Sequence, residues 1–306
     1  MIPVTLITGF LGSGKTTLLN QLLRHPSMAT TMVVVNEFGE IGIDQALIAA
    51  ADDSVVLLTN GCLCCSVRSE LLDTLRDLRL SGRSFARLAV ETSGLADPSA
   101  IIHALLTEPS VASGYQLTSV VTTVDAVNGQ ATLADHRLAL VQAGVADHLV
   151  VTKQDIGDAA PLIAELTALN PLASIHDSRR PLDPDPLFSA AHLPREAIAG
   201  QHAEVATACI TRQRPFSLDE LDLLRRALTD NLGPNLLRLK GLVNVAEQPD
   251  RPALLQGAQK LLHDVEWLDR WPDDDRRSRL VFITTAEARG LPAEVMDMVE
   301  RMSARR

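Results

Sequence analysis

Gly9-Phe10-Leu11-Gly12-Ser13-Gly14-Lys15-Thr16 fits the spacing G-x-x-x-x-G-K-[ST], after an apolar run and before an amphipathic one. Glycines at these positions let backbone N–H groups close on a chain of phosphates, and the start of the next helix adds a favourable dipole. Lys15 neutralises charge on the outer phosphates, and Thr16 offers a hydroxyl to Mg²⁺. With Gly12, Ser13 and Thr17 these residues form the expected phosphate cradle.

Two later segments extend that chemistry. Leu88-Ala89-Val90-Glu91 leads into Thr92-Ser93-Gly94, which puts a carboxylate at the carboxyl end of a buried strand, where open α/β sheets bind ligands. Glu91 can hold magnesium through water or orient an attacking water. Thr152-Lys153-Gln154-Asp155 resembles the guanine-reading N-K-x-D, with Thr first. Asp155 can accept hydrogen bonds from N1–H and the exocyclic amine of guanine, an arrangement adenine does not offer. The Lys153 stem can pack on the base.

Gly61-Cys62-Leu63-Cys64-Cys65-Ser66 precedes a helix stripe that begins at Leu71. Cysteines at a helix N-terminus have depressed pKa values. A tight loop can turn Cys62, Cys64 and Cys65 onto one ion, and three thiolates suit Zn²⁺, Co²⁺ or Cu(I) better than Mg²⁺ or Ca²⁺. The alternatives are buried small hydrophobes or a redox pair. Asn36 to Asp44 carries three carboxylates and two glycines where P-loop proteins have a switch segment. Glu37 is the candidate fourth ligand of the transition metal and Asp44 a candidate near Mg²⁺; either could equally be a solvated loop acid. The eight histidines are scattered and read as surface or core, and Cys209 as a packing residue in a strand.

These residues need a frame that gathers them. Apolar runs at Val4–Thr8, Thr31–Val35, Val55–Leu58, Leu88–Glu91, Val120–Val124 and His148–Thr152 alternate with helix-period segments, the pattern of a parallel sheet wrapped by helices. Leu18, Leu19, Leu22 and Leu23 make one helical stripe, and Leu71, Leu72, Leu75 and Leu78 another. Asp97-Pro98 reads as an N-cap followed by proline at the first helical position. Residues 1–176 are expected as the P-loop domain, and a Pro-, Asp- and Arg-rich stretch in 177–204 as a linker. Residues 205–306 read as a smaller α+β domain. There Ser217-Leu218-Asp219-Glu220 forms a capping box, and strands are expected at Val205–Thr211, Leu237–Val245, Ala253–Leu262 and Arg279–Thr284 before a last helix.

Composition narrows the classes further. Hydrophobic residues are 46% and aromatics only 3%, so the core is expected from Leu, Val, Ile and Ala. A net charge of −10, with no basic run interleaved with aromatics, argues against nucleic acid and anionic membrane as partners. The longest apolar stretch, Leu138 to Val151, is interrupted by Gln142, Asp147 and His148 and falls short of a span. The first strand leaves no room for a signal peptide, which together with four cysteines, three of them clustered, leads to the expectation of a cytoplasmic protein.

Taken together, Gly9–Thr16, Asn36–Asp44, Gly61–Cys65, Glu91–Gly94 and Thr152–Asp155 resemble the CobW-type GTPases of the CobW/HypB/UreG group. Arg238-Leu239-Lys240-Gly241 and Trp271-Pro272 through Ile283 are similar to that family's C-terminal domain, so the resemblance covers nearly the whole chain. It implies conversion of GTP to GDP and phosphate, coupled to delivery of a transition metal, zinc or cobalt above all, to a client metalloprotein or cofactor-assembly enzyme. The His-rich tract that many members carry is absent, which argues against bulk metal storage. The alternatives are a nucleotide-gated regulatory GTPase with structural cysteines and an ATP-dependent small-molecule kinase, and a homodimer is the candidate assembly.

Overall fold

Ile2–Gly9 (β1) is the central strand of the first sheet, and from Val4 onward it is buried on both faces. Its neighbours are Arg87–Glu91 (β4) on one side and Tyr115–Asp125 (β5) on the other, both parallel to it. Thr31–Val35 (β2) and Val55–Leu57 (β3) extend the sheet beyond β4, while His148–Thr152 (β6) and Ser174–Asp177 (β7) extend it beyond β5. The order is β3-β2-β4-β1-β5-β6-β7, every pairing parallel. Near-continuous apolar strands are what such a sheet requires, because helices cover both faces.

This computed structural model describes residues 1–35, 55–57, 66–189, 205–258, 261–262, 265–272 and 274–303. They fall into two compact units, one of residues 1–166 with 173–189, the other of 167–172 with the residues from 205 on. In the first, helix Lys15–Leu23 (α1) buries Leu18, Leu19 and Leu22, and Ser66–Leu80 (α2) buries Leu71, Leu72, Leu75 and Leu78, the stripes expected from spacing. Pro98–Thr107 (α3) starts at Asp97, whose carboxylate accepts from Ser99 N at 2.8 Å. Pro109–Ala112 (α4), Gly129–Asp135 (α5), Arg137–Gly144 (α6) and Ala160–Leu169 (α7) follow in order, the last three residues of α7 being counted with the second unit.

The stretch expected as a linker from residue 177 differs from that expectation in its described part. Asp183 caps a short helix, Pro184–Leu187 (α8), with proline in the first turn where no amide is needed. Leu187 and Phe188 are buried with Ile7, Leu18, Leu19 and Leu22, so the first unit continues past residue 176 to at least 189. Prolines that read as breakers are here helix starters.

The second unit is an antiparallel sheet with two helices on one face. Val205–Arg212 (β8), Leu236–Val243 (β9), Ala253–Ala258 (β10), Leu261–Leu262 (β11) and Ser278–Thr285 (β13) run in the order β11-β10-β9-β13-β8, and Glu266–Trp267 (β12) pairs with β10. The single strand expected over Ala253–Leu262 is instead an antiparallel pair, with Gly257 opposite Leu262. Leu218–Leu232 (α9) opens with the expected capping box, Ser217 and Glu220 exchanging side-chain-to-backbone bonds. It packs with Leu291–Ser303 (α10) through Leu224, Leu228, Val295 and Val299 onto Leu239, Leu280 and Phe282. Cys209 departs from its expected packing role. The pleat turns Ala208 and Ile210 toward the helices and leaves Cys209 exposed on an edge strand. Among the described residues, no helix is long and apolar enough to cross a membrane.

Candidate nucleotide site at the carboxyl edge of the parallel sheet

The loop after β1 turns where only glycine is at ease. Gly9 has φ 139°, and a Cβ there would stand 2.5 Å from Thr123 O on β5. Gly14, at φ 91°, caps the amino end of α1. Lys15 is buried, and its ammonium folds back over the loop to donate to Gly9 O at 3.1 Å and Phe10 O at 3.2 Å. Ser13 Oγ and Thr123 Oγ1 share a hydrogen bond of 2.6 Å, tying the loop to β5. The Phe10 ring stacks on His136 with centroids 4.6 Å apart.

The order of the strands brings the other segments to this loop. Register sets Ile7 opposite Glu91 and Asp125 opposite Thr152, so β4, β1, β5 and β6 end together. Thr16 Oγ1 donates to Glu91 Oε1 at 2.6 Å across 75 residues of sequence, and Glu91 is 1% exposed. A Cβ on Gly94 would stand 2.7 Å from Leu11 N, so the segment after Glu91 lies directly against the phosphate loop. Thr152 Oγ1 donates to Ser13 O at 2.7 Å. Lys153 has φ 54°, the one left-handed non-glycine residue among those described, and its ammonium lies 3.3 Å from Asp125 Oδ2. Asp155 and Thr17 are exposed, Asp155 on the β6 loop and Thr17 in the first turn of α1.

Two residues that local pattern did not single out support this edge. Asp125 is buried at the end of β5, and Gln142 of α6 donates through Nε2 to Gly94 O and Ala96 O, both at 3.2 Å. Asp125 carries the same signal that marked Glu91, an acid closing an apolar strand. Gln142 has none, because an amide in an amphipathic helix looks ordinary. Glu37, Asp44, Cys62, Cys64 and Cys65 lie outside the described residues. Among the described residues, no group of three His, Cys, Asp or Glu side chains could hold a metal ion, although His148 Nδ1 and His176 Nε2 meet at 3.0 Å.

A glycine-rich loop between a central parallel strand and a helix, faced by an acidic strand end, defines a P-loop nucleotide-binding domain, here followed by an antiparallel α+β unit. Residues 3–177 match the family described as CobW/HypB/UreG, nucleotide-binding domain, and residues 205–298 match the cobalamin synthesis protein cobW C-terminal domain. The chain belongs to the CobW family. It is 33% identical to the zinc chaperone YjiA of Escherichia coli (strain K12), over 92% of this chain and 93% of that one. To the zinc chaperone CobW of Pseudomonas aeruginosa it is 30% identical, over 92% and 87%. The crystal structure of Zn(II)-bound YjiA GTPase from E. coli is similar with a TM-score of 0.70 at 27% identity, covering 96% of this chain and 98% of that one. A Zn(II)-bound YjiA triple mutant with one glutamate and two cysteines changed to alanine is similar with a TM-score of 0.71 at 26% identity, over 96% and 99%.

Proposed function

We propose that this chain is a metal-delivering GTPase, which hydrolyses GTP to GDP and phosphate and hands a transition metal to a client metalloprotein or cofactor-assembly enzyme. Zinc is the first candidate cargo and cobalt the second. The observation that carries the reading is the meeting of Lys15, Thr16, Glu91 and the Thr152–Asp155 loop at one sheet edge. Relatives of nearly full-length similarity named as zinc chaperones support the choice of cargo.

Lys15 and the amides of Gly12 to Thr17 take the phosphates, and Asp155 reads the guanine edge. The donor set fits Mg²⁺: the Thr16 hydroxyl and Glu91 carboxylate are hard oxygens 2.6 Å apart beside the phosphate loop, and Asp44 is a third candidate. Bound there, magnesium neutralises charge on the β- and γ-phosphates. Glu91 alternatively orients the attacking water. Cys62, Cys64 and Cys65, with Glu37, are the proposed cargo ligands, a thiolate-rich set suited to zinc or cobalt.

Cobalt titration of protein purified without oxygen tests the cargo site, with GTP and ATP turnover measured on the same sample. One ion per chain with an intense thiolate charge-transfer band, lost when all three cysteines become serine, is the expected result. Metal affinity should differ between GDP-bound and GTP-analogue-bound protein by roughly 5–150-fold. Full affinity in the triple serine variant removes the cysteines, and equal turnover of ATP and GTP removes the GTPase.

A further inference from the structure

Asp125 closes β5 with its side chain almost wholly buried, and its two carboxylate oxygens do different things. Oδ1 accepts from Val127 N at 2.9 Å and Asn128 N at 2.6 Å, which folds the turn leading into α5. Oδ2 faces the ammonium of Lys153 at 3.3 Å. A carboxylate so little exposed would be costly if the backbone amides were its sole partners, and Lys153 supplies the compensating charge.

Lys153 is held as well as paired. Its left-handed backbone is disfavoured for a residue with a Cβ and persists where surroundings dictate it. Those surroundings are visible. Ala126 N donates to Thr152 O at 2.9 Å, Thr152 Oγ1 is bonded to Ser13 O, and a Cβ on Gly157 would stand 3.0 Å from Ala126 O. The turn after β5 and the loop after β6 are thus one wall, and Asp125 is the charged group within it.

We infer that Asp125 is a positioning residue for the base: it pins the Lys153 ammonium so that the lysine stem lies where a guanine ring packs against it. This rests on the base-reading role proposed for the Thr152–Asp155 loop. An unpinned lysine would have to give up rotamer freedom on each binding event, and the base would bind more weakly for that reason. Phosphate binding falls to Lys15 and the amides of the loop after β1 and should be indifferent to the change.

Asp125→Asn separates the two oxygens, because the amide oxygen still accepts from Val127 and Asn128 while its NH₂ group faces Lys153. The expected result is a GTP dissociation constant raised about tenfold, with inorganic tripolyphosphate binding unchanged. Asp125→Ser also keeps an acceptor for the turn without the charge, and should behave alike if the asparagine variant folds poorly. In a cycle with Lys153→Met, the double variant should be no weaker than Lys153→Met alone. Equal weakening of GTP and tripolyphosphate, or additive effects in the cycle, would overturn the positioning role. Unchanged GTP affinity in Lys153→Met by itself would instead overturn the base-site reading beneath it.

Discussion

In the first unit Lys15, Glu91 and Asp125 are buried where parallel strands end, Lys15 opening α1 behind β1, Glu91 closing β4 and Asp125 closing β5. In the second unit Arg212 and Glu220 are buried too, but they close on each other: Arg212 Nη2 lies 3.2 Å from Glu220 Oε1, Arg214 bonds the same oxygen, and Ser217 N donates to Oε2 at 3.0 Å. The Arg212 guanidinium also stacks on Phe216 at 3.8 Å. Buried charge by itself therefore does not mark a site. What distinguishes the first unit is topology, because in a parallel sheet the loop that follows every strand leaves from the same edge, whereas an antiparallel sheet alternates its loops between two. Charge at the shared edge can face a common ligand, while charge at the base of α9 caps a helix.

Lys15→Ala should have the largest effect. Removing the ammonium leaves phosphate charge without its partner, and GTP turnover should fall by about a hundredfold or more. A variant that binds and turns over GTP normally would place the phosphates elsewhere.

Glu220→Gln makes the opposite test. The variant leaves the buried Arg212 with only the more distant Glu300 carboxylate, 3.8 Å away, as a counter-charge, at a cost of about 2–4 kcal/mol in unfolding free energy, and GTP affinity should stay as it was. The acid dependence follows from the carboxyl's pKa. Burial acts to raise it, but the Ser217 amide, Arg214, Arg212 and the Ser303 hydroxyl outweigh burial and bring it from 4.5 down to about 2. Its folded pKa is lowered, so its contribution is complete above the ordinary value of 4.5 and is lost as pH falls toward about 2. Chemical denaturation of both proteins between neutral pH and pH 2.5 should show the gap closing over that window. A gap independent of pH would mean that the network is not electrostatic.

The smallest effect belongs to Cys209→Ser. This thiol lies exposed on an edge strand, and its loss should change unfolding free energy by no more than about 0.5 kcal/mol and leave metal stoichiometry unaltered. A drop in bound metal would bring the second unit into the metal chemistry.

Much of this was legible before any fold was known. The phosphate loop, the acidic end of β4, the leucine stripes of α1 and α2, the Asp97 cap and the Ser217–Glu220 box are all local patterns, readable because helix and strand periods and capping act over a few residues. Contacts between distant residues were not. Thr16 with Glu91, Lys153 with Asp125 and Gln142 with Gly94 each span 28 to 75 positions and depend on strand order and register. Composition misled at residues 184–188, where prolines and aspartates start a helix whose Leu187 and Phe188 complete a core. Periodicity could not orient Cys209, since a short apolar strand reads alike on either face until its neighbours decide which one is covered. Which residues cap helices, fill a core or offer groups suited to phosphate follows from side chains and short spacings. Tertiary structure alone decided which of them meet, because only the ordered sheet brings the ends of β4, β1, β5 and β6 to one edge.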